Sequence, residues 1–330
     1  MVRQTGGEMI TRLLSLEALG LPNSYAKMES ENITGSMKIR SAKRILDSAR
    51  LVPGQTVIES TSGNMGVALA TLCKARGLSC VLVVDPKLSP WHRDRMLEAD
   101  ADLIEVTETD NTGGWLKRRL AKVNELYEEH EDWFWVNQYG NKNNPLAFEE
   151  IAYELYTQLH LEAVSHKNIF LFASVSTGGS LTGTARRLKR LTEVEGHSIH
   201  VVAVDAAGSA IFGESPCKRH LNGIGSSLSE LPNLDRSLID CVSIVTDEEA
   251  FRECHNLRSK GFFVGGSSGA VLSAMKRFAR MDENFLTNVI AVGIFPDSGL
   301  IYEQTIYSER WLSERGFAVW EIQEPMKCGG

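Results

Sequence analysis

Short apolar runs rich in β-branched residues alternate with amphipathic segments along most of this chain, from about residue 36 onward. Such alternation is typical of βαβ units built around a mainly parallel sheet. The apolar runs read as buried strands over Thr56–Glu59, Cys80–Asp85, Asp102–Val106, Trp133–Asn137, Ile169–Ser174, His200–Asp205, Val242–Thr246, Phe262–Gly265 and Asn288–Phe295. The amphipathic segments read as helices over Ser36–Arg50, Asn64–Arg76, Trp91–Glu98, Gly114–Glu128, Pro145–His160, Ser180–Thr192, Asp247–Lys260 and Ser268–Arg280. Gly77 is the expected C-cap of the second helix, and Asp247 is the expected N-cap of the seventh. The 330 residues therefore predict an α/β protein, as one large unit or as two interleaved lobes.

Two irregular stretches interrupt this pattern. The segment Gly140–Pro145, with the sequence Gly-Asn-Lys-Asn-Asn-Pro, is the most loop-like part near the middle of the chain. It would separate an earlier lobe from a later one. The second stretch, 207–232, contains several glycines and prolines and is too long for a plain connection. Loops of that length in compact domains tend to be functional or mobile.

Three turns rich in Gly, Ser and Thr each follow a predicted strand and open a predicted helix. They are 60–64 (Ser-Thr-Ser-Gly-Asn), 176–180 (Ser-Thr-Gly-Gly-Ser) and 265–269 (Gly-Gly-Ser-Ser-Gly). Helix N-termini present unpaired backbone N–H groups, which bind phosphates and carboxylates. Any single turn has an ordinary explanation, because caps and tight turns also favour Ser and Gly. Three turns together indicate one anion-binding crevice, since α/β folds gather their carboxyl-end loops.

Several classes of function are disfavoured. The chain has no GxGxxG after its first strand, no GxxxxGK[ST] and no GxSxG, so dinucleotide-binding, P-loop and serine-hydrolase functions lack support. Lys and Arg total 35 against 42 for Asp and Glu, so nucleic acid is not an expected partner. The six cysteines show no metal-ligand spacing, so we expect free thiols and no bound metal. The eight histidines are scattered and are expected at the surface or in the core.

The expected location is the cytoplasm. No apolar run is long enough to span a membrane. The segment Met1–Gly7 lacks the apolar stretch of a secretion signal.

One lysine has unusual surroundings. Lys38 lies at a predicted helix start, between the apolar residues Met37 and Ile39. Most lysines are solvated surface charges, and that alternative stays open. At this position, however, desolvation and the helix dipole would both disfavour the ammonium form. A lysine so placed can act as a Schiff-base nucleophile.

Five ordered motifs resemble those of one enzyme family. Residues 32–38, Asn-Ile-Thr-Gly-Ser-Met-Lys, resemble the lysine motif of the cysteine synthase and cystathionine β-synthase family, which are fold-type II pyridoxal-phosphate enzymes. Residues 59–66 resemble its Glu-Pro-Thr-Ser-Gly-Asn-Thr-Gly motif, and 176–183 resemble its phosphate loop. Two further motifs match at 223–225 and 265–269.

The resemblance implies a tryptophan synthase β-like fold with two three-layer αβα lobes. Residues 38–145 would form the smaller, mobile lobe. Residues 1–37 and 146–330 would form the larger lobe, which binds the cofactor phosphate.

The resemblance also implies roles for individual residues. Lys38 would bind pyridoxal 5′-phosphate covalently and move the Cα proton, Asn64 would hydrogen-bond the ring oxygen, and Ser267 would face the pyridine nitrogen. A neutral hydroxyl at that nitrogen leaves the ring a weaker electron sink, which suits β-elimination. The cofactor phosphate would be held by Ser176, Thr177, Gly178, Gly179 and Ser180. The substrate would be bound by Thr61, Ser62, Gly63 and Gln138. Apart from the resemblance, Tyr139 lies next to Gln138 and would add a phenolic donor.

Departures from the family pattern indicate a different substrate pocket. Common family residues are replaced here by Ile33, Thr34, Ile39, Ser60 and Ser176. One branch, the N-(2-amino-2-carboxyethyl)-L-glutamate synthases, is similar to this chain at 175–180, 202–213, 295–299 and 307–312. That branch serves 2,3-diaminopropionate formation, as in siderophores of the staphyloferrin B type. It joins O-phospho-L-serine to the amine of L-glutamate through an α-aminoacrylate intermediate. The family relation also implies a homodimer that acts on small amino-acid substrates.

Two basic segments agree with anionic substrates. Residues 113–120, Gly-Gly-Trp-Leu-Lys-Arg-Arg-Leu, place three cations in the first turns of a predicted helix. An inward-facing arginine would bind a phosphate leaving group bidentately, and Arg119 is the predicted one because the same branch has Arg there. In the 207–232 loop, Lys218, Arg219 and His220 would offset the two carboxylates of glutamate. A solvated basic face is the alternative for both segments.

Two other functions stay open at this point. A cysteine synthase or cystathionine β-synthase would use sulfide or a thiol as the acceptor. An inert relative would only bind a partner or sense a metabolite, although an intact Lys38 argues against that function.

Overall fold

The computed structural model describes residues 4–5, 8–110, 114–161, 168–193, 195–215, 217–281 and 285–318. The strands are β1 (Gln4–Thr5), β2 (Glu8–Met9), β3 (Leu13–Ser15), β4 (Ser24–Met28), β5 (Thr56–Ser60), β6 (Ser79–Val84), β7 (Asp102–Glu105), β8 (Phe134–Trp135), β9 (Asn168–Ser174), β10 (Ser198–Ala206), β11 (Cys241–Val245) and β12 (Val289–Phe295). The helices are α1 (Lys38–Ser48), α2 (Asn64–Arg76), α3 (Pro90–Glu98), α4 (Leu116–Glu129), α5 (Asn143–Ala147), α6 (Glu149–Gln158), α7 (Gly179–Thr192), α8 (Asp247–Ser259), α9 (Gly266–Met281), α10 (Phe285–Asn288) and α11 (Glu309–Ser313).

The first main sheet has four parallel strands in the order β7-β6-β5-β8. Its central strand β6 reads Ser-Cys-Val-Leu-Val-Val and is buried beyond its first residue. A parallel strand covered on both faces has this nearly continuous apolar sequence. Leu82 on one face packs with Leu69 of α2, and Val83 on the other face packs with Val123 of α4. The sheet is therefore the middle layer of three.

The second main sheet has six strands in the order β11-β10-β9-β12-β4-β3. All of its pairs are parallel except β3 with β4. One face packs against Leu155 of α6 and Leu188 of α7. The other face packs against Phe251 of α8 and Met275 of α9. The expected α/β architecture with αβα layering, the tryptophan synthase β-like fold, is confirmed.

Helix ends follow local signals, with one correction. Gly77 ends α2 with a φ of 65° and donates its N–H to the carbonyls of Cys73 and Lys74, as the glycine C-cap predicts. The N-cap of α8 predicted at Asp247 is wrong by one residue. Thr246 is the cap, because its hydroxyl accepts the N–H of Glu249 while the Glu249 carboxylate accepts the N–H of Thr246.

Other boundaries differ from the expectation. The predicted strand Phe262–Gly265 is wrong, since Val264 makes only an isolated bridge to Ser298. The predicted helix Pro145–His160 is two helices, and α5 begins inside the predicted loop Gly140–Pro145. Pro145 is tolerated there because it lies in a first turn, where its missing N–H has no intrahelical role.

The strand β4 was not predicted from the sequence, and a lysine lies within it. The Lys27 side chain is fully buried. Its Nζ donates to the carbonyl of Thr11 at 2.7 Å and to Gln158 Oε1 at 2.8 Å, and it pairs with Glu154. Partners on other elements therefore permit a charge that the strand's own sequence argues against.

The carboxyl ends of both sheets face one cleft. β5 ends at Ser60 and β9 at Ser174, and the turns that follow open α2 and α7. This arrangement is expected of parallel α/β sheets, whose ligands bind beyond the carboxyl ends of the strands. The strands β5 to β8 lie within 38–145, while the limits and the mobility of that lobe stay predictions.

Two findings concern the helices and the cysteines. No helix in the described ranges is long and apolar enough to cross a membrane. Free thiols are carried by Cys73, Cys80, Cys217, Cys241 and Cys254. Cys328 and His166 lie outside the described residues.

Candidate active site

A cavity between the two main sheets brings together most of the predicted site residues. It is lined by Lys38, Ser60, Thr61, Ser62, Gly63, Asn64, Met65, His92, Arg119, Gln138, Tyr139, Ser176, Thr177, Asn222, Gly223 and Tyr302. Gly178, Gly179 and Ser180 continue the 176–180 turn into α7. Ser267 lies on α9 and contacts the cavity residues through Asp297.

Lys38 is the first residue of α1, and the loop before it is attached to the segment after β12. The Met37 N–H donates to the Pro296 carbonyl at 2.9 Å, and the Ser298 N–H donates to the Gly35 carbonyl at 2.9 Å. Asp297 consequently lies close to Lys38. Burial lowers the pKa of Lys38 to about 8, although the charge of Asp297 opposes the shift. The neutral amine, which is the nucleophilic form, is therefore more abundant than in an ordinary lysine.

The 176–180 turn has the geometry of an anion cradle. Gly178 has a φ of 85°, and a Cβ at this position would lie 2.5 Å from the Leu234 Cβ, so only glycine fits. A Cβ on Gly179 would lie 2.7 Å from the Asn144 Oδ1. The first-turn N–H groups of α7 have no partner within the helix. They can bind a phosphate group at the positive end of the helix dipole.

Asn64, Ser267, Asp297 and Tyr302 form a hydrogen-bonded cluster, which we call the cofactor wall. Asn64 Nδ2 donates to Asp297 Oδ2 at 2.9 Å, and the Tyr302 hydroxyl donates to the same oxygen at 2.6 Å. Ser267 Oγ donates to Asp297 Oδ1 at 3.3 Å. Burial raises the pKa of the Asp297 carboxyl, although these three donors oppose the shift. The two residues predicted to contact the cofactor ring thus share one acidic partner.

His92, which was expected at the surface or in the core, lies in the cavity lining beside Asn64. His92 Nε2 lies 2.9 Å from Asn64 Oδ1, and His92 Nδ1 lies 2.7 Å from Ser89 Oγ. Burial lowers the pKa of His92 to about 4, so the ring is neutral at pH 7. The amide oxygen of Asn64 only accepts, which assigns the ring proton to Nε2. His92 therefore donates to Asn64 Oδ1 in the amide orientation that the structure shows.

A second group of residues at the cavity comprises Glu59, Ser60, Arg119, Gln138 and Tyr139, and we call it the substrate wall. The Gln138 N–H donates to Glu59 Oε2 at 2.9 Å, and Gln138 Nε2 donates to the Ser60 carbonyl at 3.0 Å. Burial raises the pKa of Glu59 to about 7, even though its carboxylate accepts two backbone N–H groups. Burial also raises the pKa of Tyr139.

Two donors of the substrate wall lack hydrogen-bond partners in the described part of the chain. They are Ser60 Oγ and Arg119 Nε, which belong to residues that are only 1% and 6% exposed. Arg119 Nε lies 3.1 Å from Asp85 Oδ2, so the charges are paired without hydrogen-bond alignment. A buried donor without an acceptor is costly, and a bound anion would remove that cost.

Thr61 and Ser62 occupy different environments. The Thr61 hydroxyl accepts the N–H groups of Gly63 and Gly66, each at 3.0 Å. It therefore caps the start of α2. Ser62 is exposed and lines the cavity. Their predicted contacts with a substrate carboxylate stay predictions.

The site contains residues that sequence reasoning missed. Glu59, His92, Asn222, Asp297 and Tyr302 had no assigned role. Asp297 carried one signal, since it follows a strand and a proline in the 295–299 run. His92 carried none, because its partners Ser89 and Asn64 become visible only in the fold.

The family model described as pyridoxal-phosphate dependent enzyme matches residues 4–292 of this chain. The chain belongs to this family. Its cofactor is therefore pyridoxal 5′-phosphate, and its expected assignment as an enzyme of the β-replacement type is confirmed.

Solved structures of similar chains support the same assignment. A hydrogen sulfide-producing enzyme from Fusobacterium nucleatum is 27% identical with a TM-score of 0.79, over 88% of this chain and 96% of that one. An O-acetylserine dependent cystathionine β-synthase from Helicobacter pylori is 29% identical with a TM-score of 0.78, over 90% and 96%. An O-ureido-L-serine synthase, as a mutant with O-ureido-L-serine bound, is 25% identical with a TM-score of 0.78, over 94% and 96%.

The residues present fit this cofactor. Lys38 supplies an amine of lowered pKa, the 176–180 turn supplies a phosphate cradle, and the cofactor wall supplies polar groups for a ring. When bound, the cofactor withdraws electrons from the Cα of an attached amino acid. Lys38 would then be the base that moves the Cα proton. These individual assignments stay predictions.

Proposed function

We propose that the pyridoxal-phosphate dependent enzyme joins O-phospho-L-serine to the α-amine of L-glutamate. The bond from Cβ to the phosphate oxygen breaks, inorganic phosphate leaves, and a bond from Cβ to the glutamate nitrogen forms. The amine loses a proton in this exchange. The product is N-(2-amino-2-carboxyethyl)-L-glutamate, a precursor of 2,3-diaminopropionate for siderophores or related natural products. The proposed enzyme is a cytoplasmic homodimer.

The position of Arg119 carries the proposal for the donor. The guanidinium is buried in the substrate wall, and its Nε lies beside Asp85 without a hydrogen-bond acceptor among the described residues. Its neighbour Arg118 is exposed and pairs with Glu108. Among the described residues of this helix, Arg119 is the one that lines the cavity. A guanidinium binds phosphate through two parallel hydrogen bonds, which an acetyl or ureido leaving group does not match in charge.

Ser60 supports the same donor. Its hydroxyl is buried in the cavity lining without a partner, next to the charged residue Glu59. The family usually has proline here, which has no hydroxyl. A phosphate oxygen would accept this O–H and satisfy it.

The glutamate acceptor is supported by the 207–232 loop. Asn222 and Gly223 of this loop line the cavity. Arg219 is partly buried, and its charge acts on the hydroxyl of Tyr139. Lys218 is exposed, and the His220 ring packs against Trp311. Arg219 is therefore the cation of this loop that we assign to an acceptor carboxylate.

The donor assignment is tested by comparing kcat/KM for O-phosphoserine, O-acetylserine and O-ureidoserine with a saturating acceptor. We expect O-phosphoserine to be preferred by at least about thirtyfold, the effect of one charge-assisted bidentate contact. Equal use of the three donors would refute the phosphate assignment.

Sulfide or a thiol is the alternative acceptor. Two of the similar structures, a hydrogen sulfide-producing enzyme and a cystathionine β-synthase, favour this chemistry. It would need no cation at the acceptor position, because sulfide is small. In that case Arg219→Ala would leave the acceptor KM unchanged, whereas we expect it to raise the KM for glutamate.

A further inference from the structure

The cofactor wall contains a buried carboxylate that the proposed reaction does not use. Asp297 is 1% exposed and accepts hydrogen bonds from Asn64, Ser267 and Tyr302 at 2.9, 3.3 and 2.6 Å. Its own backbone is fixed as well, since the Gly265 N–H donates to the Asp297 carbonyl at 2.9 Å. Burying a carboxylate costs free energy unless hydrogen-bond donors surround it. The three donors offset this cost, so we ask what the carboxylate does for them.

The carboxylate determines the direction of two side chains. Both Asp297 oxygens accept, so the Asn64 amide must present Nδ2 to Asp297 and Oδ1 to His92. The Ser267 hydroxyl donates its hydrogen bond to Asp297 Oδ1. The Ser267 oxygen can therefore only accept hydrogen bonds from other groups. Without an acceptor here, neither orientation would be specified.

The same carboxylate acts on the reactive amine. Asp297 is the charged group that opposes the lowering of the Lys38 pKa by burial. The titratable groups that act on Asp297 or on which it acts are Lys38 of α1, Cys254 of α8, and Tyr302. Lys38 is the positively charged member of this set. Asp297 thus stabilises the ammonium form of Lys38 before the cofactor binds.

We propose that Asp297 is a positioning residue of the cofactor pocket, which orients Asn64 and Ser267 and places a counter-charge beside the Lys38 amine. The inference rests on the cofactor dependence of the family and not on the choice of donor or acceptor. Results on donor or acceptor use would therefore not affect it, and results on cofactor loading would not affect the proposed reaction.

The test measures cofactor loading of the apoenzyme and needs no turnover. Wild type, Asp297→Asn and Asp297→Glu are stripped of cofactor, and the rate of covalent incorporation is followed by absorbance from pH 6 to 10. Free pyridoxal phosphate also titrates in this pH range, but it does so equally with all three proteins. The measured quantity is therefore the difference between their loading midpoints. We expect the loading midpoint of Asp297→Asn to fall by about one pH unit, because a neighbouring opposite charge raises an amine pKa by that order. Asp297→Glu keeps the negative charge, so its loading midpoint should lie close to that of wild type.

A second measurement covers the orienting role. Asparagine offers a single acceptor oxygen to three donors, so we expect Asp297→Asn to bind the cofactor about tenfold more weakly in equilibrium dialysis, the loss of one hydrogen bond to a charged group. Ser267→Ala keeps the carboxylate and should weaken binding without moving the loading midpoint. If Asp297→Asn does not fold, Asp297→Glu must still load with the wild-type midpoint. An unchanged midpoint in Asp297→Asn, or a lowered one in Asp297→Glu, would overturn the proposal.

Discussion

The cofactor wall and the substrate wall face the same cavity but differ in how their polar groups are satisfied. In the cofactor wall, Asn64, Ser267 and Tyr302 all donate to Asp297. In the substrate wall, Ser60 Oγ and Arg119 Nε have no hydrogen-bond partner among the described residues. The donors of the cofactor wall have a common acceptor within the protein, whereas these two donors of the substrate wall are available to a bound ligand.

We interpret this difference as the difference between a wall that binds a resident cofactor and a wall that binds a substrate. A resident cofactor benefits from side chains whose directions are fixed before it binds. A substrate can itself accept the hydrogen bonds of the unpartnered donors in the substrate wall. Analogues without a matching acceptor leave these donors unpaired and therefore bind more weakly. The predictions below separate the two walls by experiment.

Replacing the reactive amine should have the largest effect. Lys38→Ala removes the base and the covalent link, so we expect activity to fall by at least about a thousandfold. Borohydride reduction and peptide mapping of wild type should place the pyridoxyl label on Lys38. Lys189→Ala, a change on α7 where Lys189 donates to the Leu238 carbonyl, is the matched control and should keep its activity. A label on Lys189 or Lys260 would contradict the assignment.

The buried acid of the substrate wall should make stability depend on pH. Burial raises the pKa of Glu59 from 4.5 to about 7, so the folded state binds more protons than the unfolded state between these values. Wild type should therefore lose up to about 3 kcal/mol of unfolding free energy as the pH rises through this window. Glu59→Gln lacks this loss. Urea denaturation at pH 5 and pH 8 should show the advantage of Glu59→Gln growing with pH, and a constant difference would exclude the effect.

Removing the buried cation should abolish the choice of donor. Arg119→Ala loses a charge-assisted bidentate contact of about 2–3 kcal/mol, so the preference for O-phosphoserine over O-acetylserine should fall by about thirty- to a hundredfold. Arg118→Ala removes an exposed arginine from the same helix and should leave the ratio unchanged. The ratio of kcat/KM values measures both variants. Equal losses in the two variants would mean that general charge, and not the pocket, sets the preference.

The unpartnered hydroxyl should have the smallest effect on donor choice. Ser60→Ala removes one hydrogen bond to a charged group, so we expect about a tenfold loss of preference for O-phosphoserine. Ser268→Ala deletes a hydroxyl that is equally buried and also unpartnered but does not line the cavity. Its donor ratio should match wild type. A wild-type ratio in Ser60→Ala would show that its hydroxyl does not contact the leaving group.

Local chemistry explains what could be predicted from the sequence. A strand that ends in Ser and Gly before a helix has few structural alternatives, so the turns at 60–64 and 176–180 and the helix start at Lys38 were found without the fold. Their positions in one cleft then followed from the parallel sheets. The alternation of apolar runs also specified most of β5 to β12.

Residues whose role depends on distant partners could not be predicted. His92 resembles a surface histidine until Asn64 and Ser89 are placed beside it. Lys27 argues against a buried strand until Glu154 on α6 supplies its counter-charge. At Val264 a strand was predicted that the fold does not contain. An apolar run does not form a strand when it makes only an isolated bridge to its neighbour.

The most direct test of the proposed reaction is a competition for the acceptor. The enzyme is incubated with O-phosphoserine and equal concentrations of ¹⁵N-labelled L-glutamate, sulfide and homocysteine, and the products are identified by mass spectrometry. We expect an adduct of glutamate and the three-carbon unit that retains the ¹⁵N label, together with inorganic phosphate. Cysteine or cystathionine as the product, with the labelled glutamate recovered unchanged, would contradict the account.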